Sequence, residues 1–133
     1  MRHAMTVTGP HPADDVWDRY LRPARWPEWA PQIRSVDCDA ERIAPGVDGV
    51  VHGPPGVRVS FRITAVDPHG PLRSWSWSVT AAGVRMRLHH TVEATPAGTR
   101  TGLETHGPAP VVLLYTPVAR LALHRLVHGR TGR

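Results

Sequence analysis

The segment Val57-Arg58-Val59-Ser60-Phe61-Arg62-Ile63-Thr64 alternates between apolar and polar residues without a fault. An extended backbone repeats every two residues, so Val57, Val59, Phe61 and Ile63 share one face and the polar residues the other. The pattern returns twice. Between Arg73 and Val79, Trp75, Trp77 and Val79 oppose Ser74, Ser76 and Ser78; in residues 84–94, Val84, Met86, Leu88, His90 and Val92 oppose Arg85, Arg87, His89, Thr91 and Glu93. A further strand runs from Thr99 to His106, with Thr101, Leu103 and Thr105 on a common face. Asp67-Pro68-His69-Gly70-Pro71, Ala82-Gly83 and Pro96-Ala97-Gly98 are the turns between them. Short turns between one-faced strands predict an antiparallel meander. Weaker strand signals lie at residues 3–8, 33–43 and 46–53, the last bounded by Gly-Pro-Pro-Gly at 53–56.

A one-faced sheet needs a cover. Pro12-Ala13-Asp14-Asp15 reads as a helix start, with carboxylates where the helix dipole favours them. Val16, Trp17, Tyr20 and Leu21 give that helix one apolar face, and Pro23 ends it. Arg25-Trp26-Pro27-Glu28-Trp29-Ala30-Pro31 follows. Its prolines stiffen a corner that holds two large rings, Trp29 reaching inward and Trp26 sealing the corner. At the other end Thr116-Pro117 has the form of an N-cap with proline at the first helical position. Val118, Ala119, Ala122, Leu123 and Leu126 make an apolar arc, and Gly129 a stop. Val111–Tyr115 is either an earlier turn of this helix or a separate lead-in. Residues 129–133 are expected to be a disordered tail.

The 133 residues suffice for one domain, residues 1–133, with a core that needs no staple. Cys38 is alone, so no intrachain disulfide forms, which fits a reducing cytoplasm. No leader-like run opens the chain and no stretch reads as a membrane span. The net charge of +5 comes from 16 arginines, with no lysine at all, which excludes Schiff-base lysine chemistry. The arginines are scattered from Arg2 to Arg133 rather than clustered, which points away from a nucleic-acid partner.

With these elements in order, the chain resembles the START-like superfamily, also called SRPBCC or Bet v 1-like, and within it the bacterial polyketide cyclase/dehydrase branch. The resemblance rests on Ala13-Asp14-Asp15-Val16-Trp17, the tryptophan corner, Arg62-Ile63-Thr64-Ala65-Val66-Asp67-Pro68, Leu72-Arg73-Ser74-Trp75 and Ala97-Gly98-Thr99-Arg100. Ala30 departs from the acidic or amide residue usual before the last proline of the corner. The resemblance implies an α+β helix-grip fold, a curved antiparallel sheet wrapped around a long C-terminal helix with short N-terminal helices. It also implies a cavity for a mostly apolar small molecule, and fold alone does not name the activity.

His90 is the polar residue of greatest interest, because strand parity puts it on the face of Met86 and Leu88. An imidazole there either acts as general acid/base on a ketone or is a hydrogen-bonded core histidine. Tyr115 either orients a carbonyl or plugs the cavity with one wet end. The expected ligand contacts are Trp29, Val59, Phe61, Trp75, Trp77, Met86, Leu88, His90, Leu103 and Val118, with His106 and Tyr115 near the opening. His52 and His106 have ambiguous parity. His124 and His128 have metal-ligand spacing but no third ligand nearby, so no metal is expected. No nucleophile elbow, phosphate loop or dinucleotide fingerprint occurs, and no cofactor is expected.

Three functions fit these observations. The first is binding of a hydrophobic, aromatic or polyketide-like molecule. The second is a cyclase or dehydratase that uses His90 and Tyr115. The third is an interaction module with an arginine surface.

Overall fold

A computed structural model describes residues 1–128. The chain runs β1 (Arg2–Gly9), α1 (Ala13–Leu21), a 3-10 turn (Pro23–Arg25), α2 (Trp26–Trp29), β2 (Ser35–Asp37) and β3 (Asp48–His52). It continues through β4 (Arg58–Asp67), β5 (Leu72–Ala81), β6 (Val84–Thr95) and β7 (Gly98–His106) to α3 (Ala109–His128). All seven strands form one antiparallel sheet in the order β1-β7-β6-β5-β4-β3-β2. The sheet is curved and grips α3, the expected helix-grip architecture. The tail expected at 129–133 lies outside the described residues.

Alternation fixes the faces. Phe61, Ile63, Trp75, Trp77, Val79, Leu88, His90, Val92, Thr101 and Leu103 are buried on the concave side, while Arg58, Arg62, Arg85, Arg87 and His89 are exposed. One bulge interrupts the register of β4 against β5, between Ile63 and Ala65. Such an extra residue bends its strand and increases the twist, which helps the sheet wrap.

Two boundaries differ from the sequence reading. The segment 33–43 is a strand only over Ser35–Asp37. Its apolar ends are buried in the helical layer instead: the Ile33 amide donates to the Ala30 carbonyl, and the Ile43 amide to that of Leu21. The C-terminal helix starts at Ala109, so Val111–Tyr115 belongs to it. The Val112 amide donates to the Pro108 carbonyl, and Pro110 falls in the first turn, where a missing N–H costs nothing. Pro117 is interior. Thr116 does not cap a helix there; its hydroxyl donates back to the Val112 carbonyl at 2.8 Å.

Among the described residues α3 is also the one helix long and apolar enough to cross a membrane. It passes by length and composition only, as the core helix of a fold can. The buried face of α3, Val112, Ala119, Ala122, Leu123, Leu126 and Val127, packs against the sheet and the short helices.

The last carbonyls of an α-helix have no partner within it. In α3 they are met from across the fold: the Arg19 guanidinium donates to the Leu126 carbonyl at 2.6 Å and to that of Arg125 at 3.5 Å. The His11 amide donates to the Val127 carbonyl at 3.0 Å. Arg19 is fully buried. Arg19→Ala is expected to lose about 3 kcal/mol, because it strands buried carbonyls and opens a void. Urea denaturation checks the loss, and amide exchange should show protection vanishing first in the last turn of α3.

Candidate functional site

The tryptophan corner caps α1 in the same way. The Trp26 indole donates to the Tyr20 carbonyl at 2.9 Å, and the Trp29 indole to the Arg19 carbonyl at 3.3 Å. Both rings are thereby held over the sheet. Trp26, expected only to seal the corner, is the centre of an aromatic cluster. It stacks on Trp75 at 5.8 Å between centroids and lies 5.1 Å from Trp77 and 5.3 Å from Phe61. Tyr20 sets its edge against Trp29 and Trp75. These rings fill the space between the sheet and the two short helices.

The space they leave empty lies beside them, between the sheet and the N-terminal half of α3. It is a cavity of about 400 Å³, within the usual range for small-molecule sites. The sheet supplies Val51, Val59, Trp77, Val79, Met86 and Leu88, and α3 supplies Val111, Leu114, Tyr115 and Val118. Gln32 and Ile33 after the tryptophan corner, with Gly53, Pro54 and Val57 of the β3–β4 turn, complete the lining. The mouth lies between that turn and α3, where the lining residues Pro54, Val57, Leu114 and Val118 are exposed. The turn is held by two backbone bonds, Gly53 amide to Val57 carbonyl and Val57 amide to Pro54 carbonyl.

Two side chains bring hydrogen-bonding groups to this wall. Burial pushes the Tyr115 phenol up to about 12, so at neutral pH it remains an O–H donor. Gln32 is the other polar side chain, and its buried Oε1 has no hydrogen-bond partner among the described residues. Among the described residues that line the cavity none is charged.

His90 lies outside this wall, and its two ring nitrogens are both engaged. The Trp77 indole donates to Nε2 at 3.0 Å. Indole is only a donor, so Nε2 accepts and the proton sits on Nδ1, 3.1 Å from the Tyr20 hydroxyl. Tyr20 in turn donates to the Thr101 hydroxyl at 3.0 Å, and Thr101 to the Thr91 carbonyl at 2.9 Å. Every member of this relay is satisfied, and it ends on backbone. The ring also stacks on Trp75 at 4.4 Å and 7°. Burial, reinforced by His89, lowers its pKa to about 3, which keeps it neutral. A proton on Nε2 would have to displace the Trp77 bond.

A family model described as polyketide cyclase / dehydrase and lipid transport matches residues 2–132. The chain belongs to this family. Among solved structures, a protein from Mesorhizobium loti is 19% identical, with a TM-score of 0.75 over 95% of this chain and 96% of that one. The di-domain ARO/CYC BexL is 18% identical, with a TM-score of 0.74; the match covers 97% of this chain and 46% of BexL. Ara h 8.0201 is 15% identical, with a TM-score of 0.66 over 95% and 97% of the two chains. No curated protein matches the sequence.

Of the residues expected to build the family's cavity here, Val59, Trp77, Met86, Leu88, Tyr115 and Val118 come together around it. Trp29, Phe61, Trp75 and Leu103 are buried in the core next to it, because the aromatic cluster occupies that half of the interior. His106 falls on the convex face, where its Nε2 bonds Glu104 at 2.7 Å. His52 pairs with Asp37 at 2.7 Å near the sheet edge. His124 and His128 stack at 4.0 Å, and His128 Nδ1 bonds the His124 carbonyl. Strand parity alone could have added Val57 and Val79 to the wall. Gln32, in a loop, had no periodicity to reveal it.

Proposed function

We propose that this member of the cyclase/dehydrase family binds a neutral, mostly apolar small molecule in the cavity, with Tyr115 and Gln32 as its polar contacts. One observation carries the reading: in a chain with 16 arginines, the described cavity lining holds no charge. An anionic head group would be desolvated there without a counter-charge, at a prohibitive cost. A flat aromatic or polyketide-like body with one keto or phenolic oxygen fits the apolar wall and the Tyr115 donor. BexL, an ARO/CYC protein of like fold, supports that ligand class.

Titration of a panel of neutral polycyclic phenols and ketones, read by tryptophan emission, tests the reading, since Trp77 is part of the wall. Leu88→Trp fills the cavity and should abolish the response. Tyr115→Phe should weaken oxygenated ligands roughly 2- to 10-fold and leave pure hydrocarbons unchanged. No response across the panel, or an undiminished one in Leu88→Trp, would sink the proposal.

The second reading is a cyclase or dehydratase, and the observation favouring it is the Tyr115 phenol in an uncharged, mostly apolar wall. A phenol held near 12 can donate to a ketone oxygen and stabilise the enolate. Neither the phenol nor His90, with Nε2 engaged, takes up a proton at neutral pH, so the α-proton lost on enolisation passes to water. This reading therefore predicts catalysis by polarisation alone. Turnover of a poly-β-keto substrate that falls with Tyr115→Phe but persists in His90→Gln would support it.

A further inference from the structure

The outward face of α3 is unlike the solvent face of an ordinary amphipathic helix. Leu113, Leu114, Val118 and Leu121 are 57%, 78%, 36% and 51% exposed. With the exposed Pro110 and Pro117 they lie on one side, opposite the buried arc that begins at Val112 and ends at Val127. From Pro110 to Leu121 the stripe is about 16 Å long at the helical rise. Val57, 46% exposed, extends it across the cavity mouth.

The same side of the helix changes character further on. Arg120, His124, Arg125 and His128 are exposed there, and α3 contains no acidic residue at any position. Arg2, Arg19, Arg22, Arg25, Arg62, Arg73 and Arg100 have carboxylate partners, while among the described residues Arg34, Arg42, Arg58, Arg85 and Arg87 lie away from α3 without one. Among the described residues Arg120 and Arg125 have none.

We propose that this face docks the protein on an anionic lipid surface, with the apolar stripe in the headgroup–acyl boundary and the basic turns along the phosphates. An apolar stripe continued by unpaired cations is the composition of a helix that lies in a membrane interface. Charge complementarity selects that occupant over a second copy, which would bring the same positive field. A second copy would also cover the cavity mouth, whereas a bilayer places it against an apolar reservoir. Docking does not depend on which ligand the cavity takes.

Co-sedimentation of the full chain with vesicles tests the proposal. Phosphatidylcholine vesicles containing phosphatidylglycerol should bind at least tenfold more tightly than phosphatidylcholine alone, with the excess lost at high salt. Arg120→Gln with Arg125→Gln should remove most of the anionic preference. Leu113→Glu with Leu121→Glu should abolish binding to both vesicles. Neither residue lines the cavity, so the response to cavity ligands should survive in that variant and show that it is folded. Equal binding to both vesicle types, or none, overturns the proposal. So does a dimer in sedimentation velocity that Leu113→Glu with Leu121→Glu dissociates, which would make the face a contact between copies.

Discussion

Trp26→Ala is expected to destabilise the protein by about 4 kcal/mol, the middle of the range for aromatic truncation in a core. Trp26 is 1% exposed and touches three other rings of the interior, Phe61, Trp75 and Trp77. Ring pairs in such geometry add about 0.5–1.5 kcal/mol each beyond simple burial. The indole also caps the Tyr20 carbonyl, so truncation exposes a polar group to an empty space. Against a total stability on the order of 5–15 kcal/mol, the variant should be near the limit of folding, with a melting temperature lower by roughly 15 °C. Trp26→Phe should recover part of the loss, since it restores ring packing but not the hydrogen bond. Urea midpoints for the three proteins decide the matter. A loss below about 1 kcal/mol for the alanine variant would mean that the cluster collapses around the vacancy.

Acid is expected to unfold the protein partly through His90. The ring titrates near 6.5 in an unfolded chain, and its folded value is lowered to about 3 by burial and by His89. Below 6.5 the unfolded state therefore binds a proton that the folded state refuses. The stability that neutral His90 contributes is complete above 6.5 and declines as the pH falls from there toward 3. The decline has a slope of about 1.4 kcal/mol per pH unit. Carboxylate titration overlaps this window, so the comparison needs a control without the imidazole. In His90→Gln the amide can accept from Trp77 and donate to Tyr20 but does not titrate. The wild type should lose about 2 kcal/mol more than the variant between pH 7 and pH 5. Parallel stability curves would show that the relay tolerates a charged imidazole.

Strands were the most legible part of this chain, because strict alternation reports a face directly. Arg58, Ser60 and Arg62 declare the wet side of β4 as clearly as Val59, Phe61 and Ile63 declare the other. The start of α3 was misleading for a local reason. Thr116-Pro117 imitates a helix beginning, while the true beginning at Pro108-Ala109-Pro110 has no side-chain cap to announce it. Cavity and core were harder still to separate. Trp75 and Trp77 share a strand, a face and a residue type, yet Trp26 stacks on the first and Trp77 borders the void. Parity gives the direction of a side chain, and only the tertiary position of the tryptophan corner gives its depth. His90 shows the same limit: its face was legible, but the relay joining it to Trp77, Tyr20 and Thr101 spans three strands and a helix distant in sequence.

The ring cluster has an optical consequence as well. Trp26, Trp75 and Trp77 lie within 5.1–5.8 Å of one another, close enough for their transition dipoles to couple and for excitation to migrate among them. They should behave as one chiral chromophore, with a strong exciton signature in circular dichroism. Trp77 alone of the three borders the cavity, so a molecule settling there perturbs the whole array. The protein thus carries an intrinsic reporter of its own occupancy.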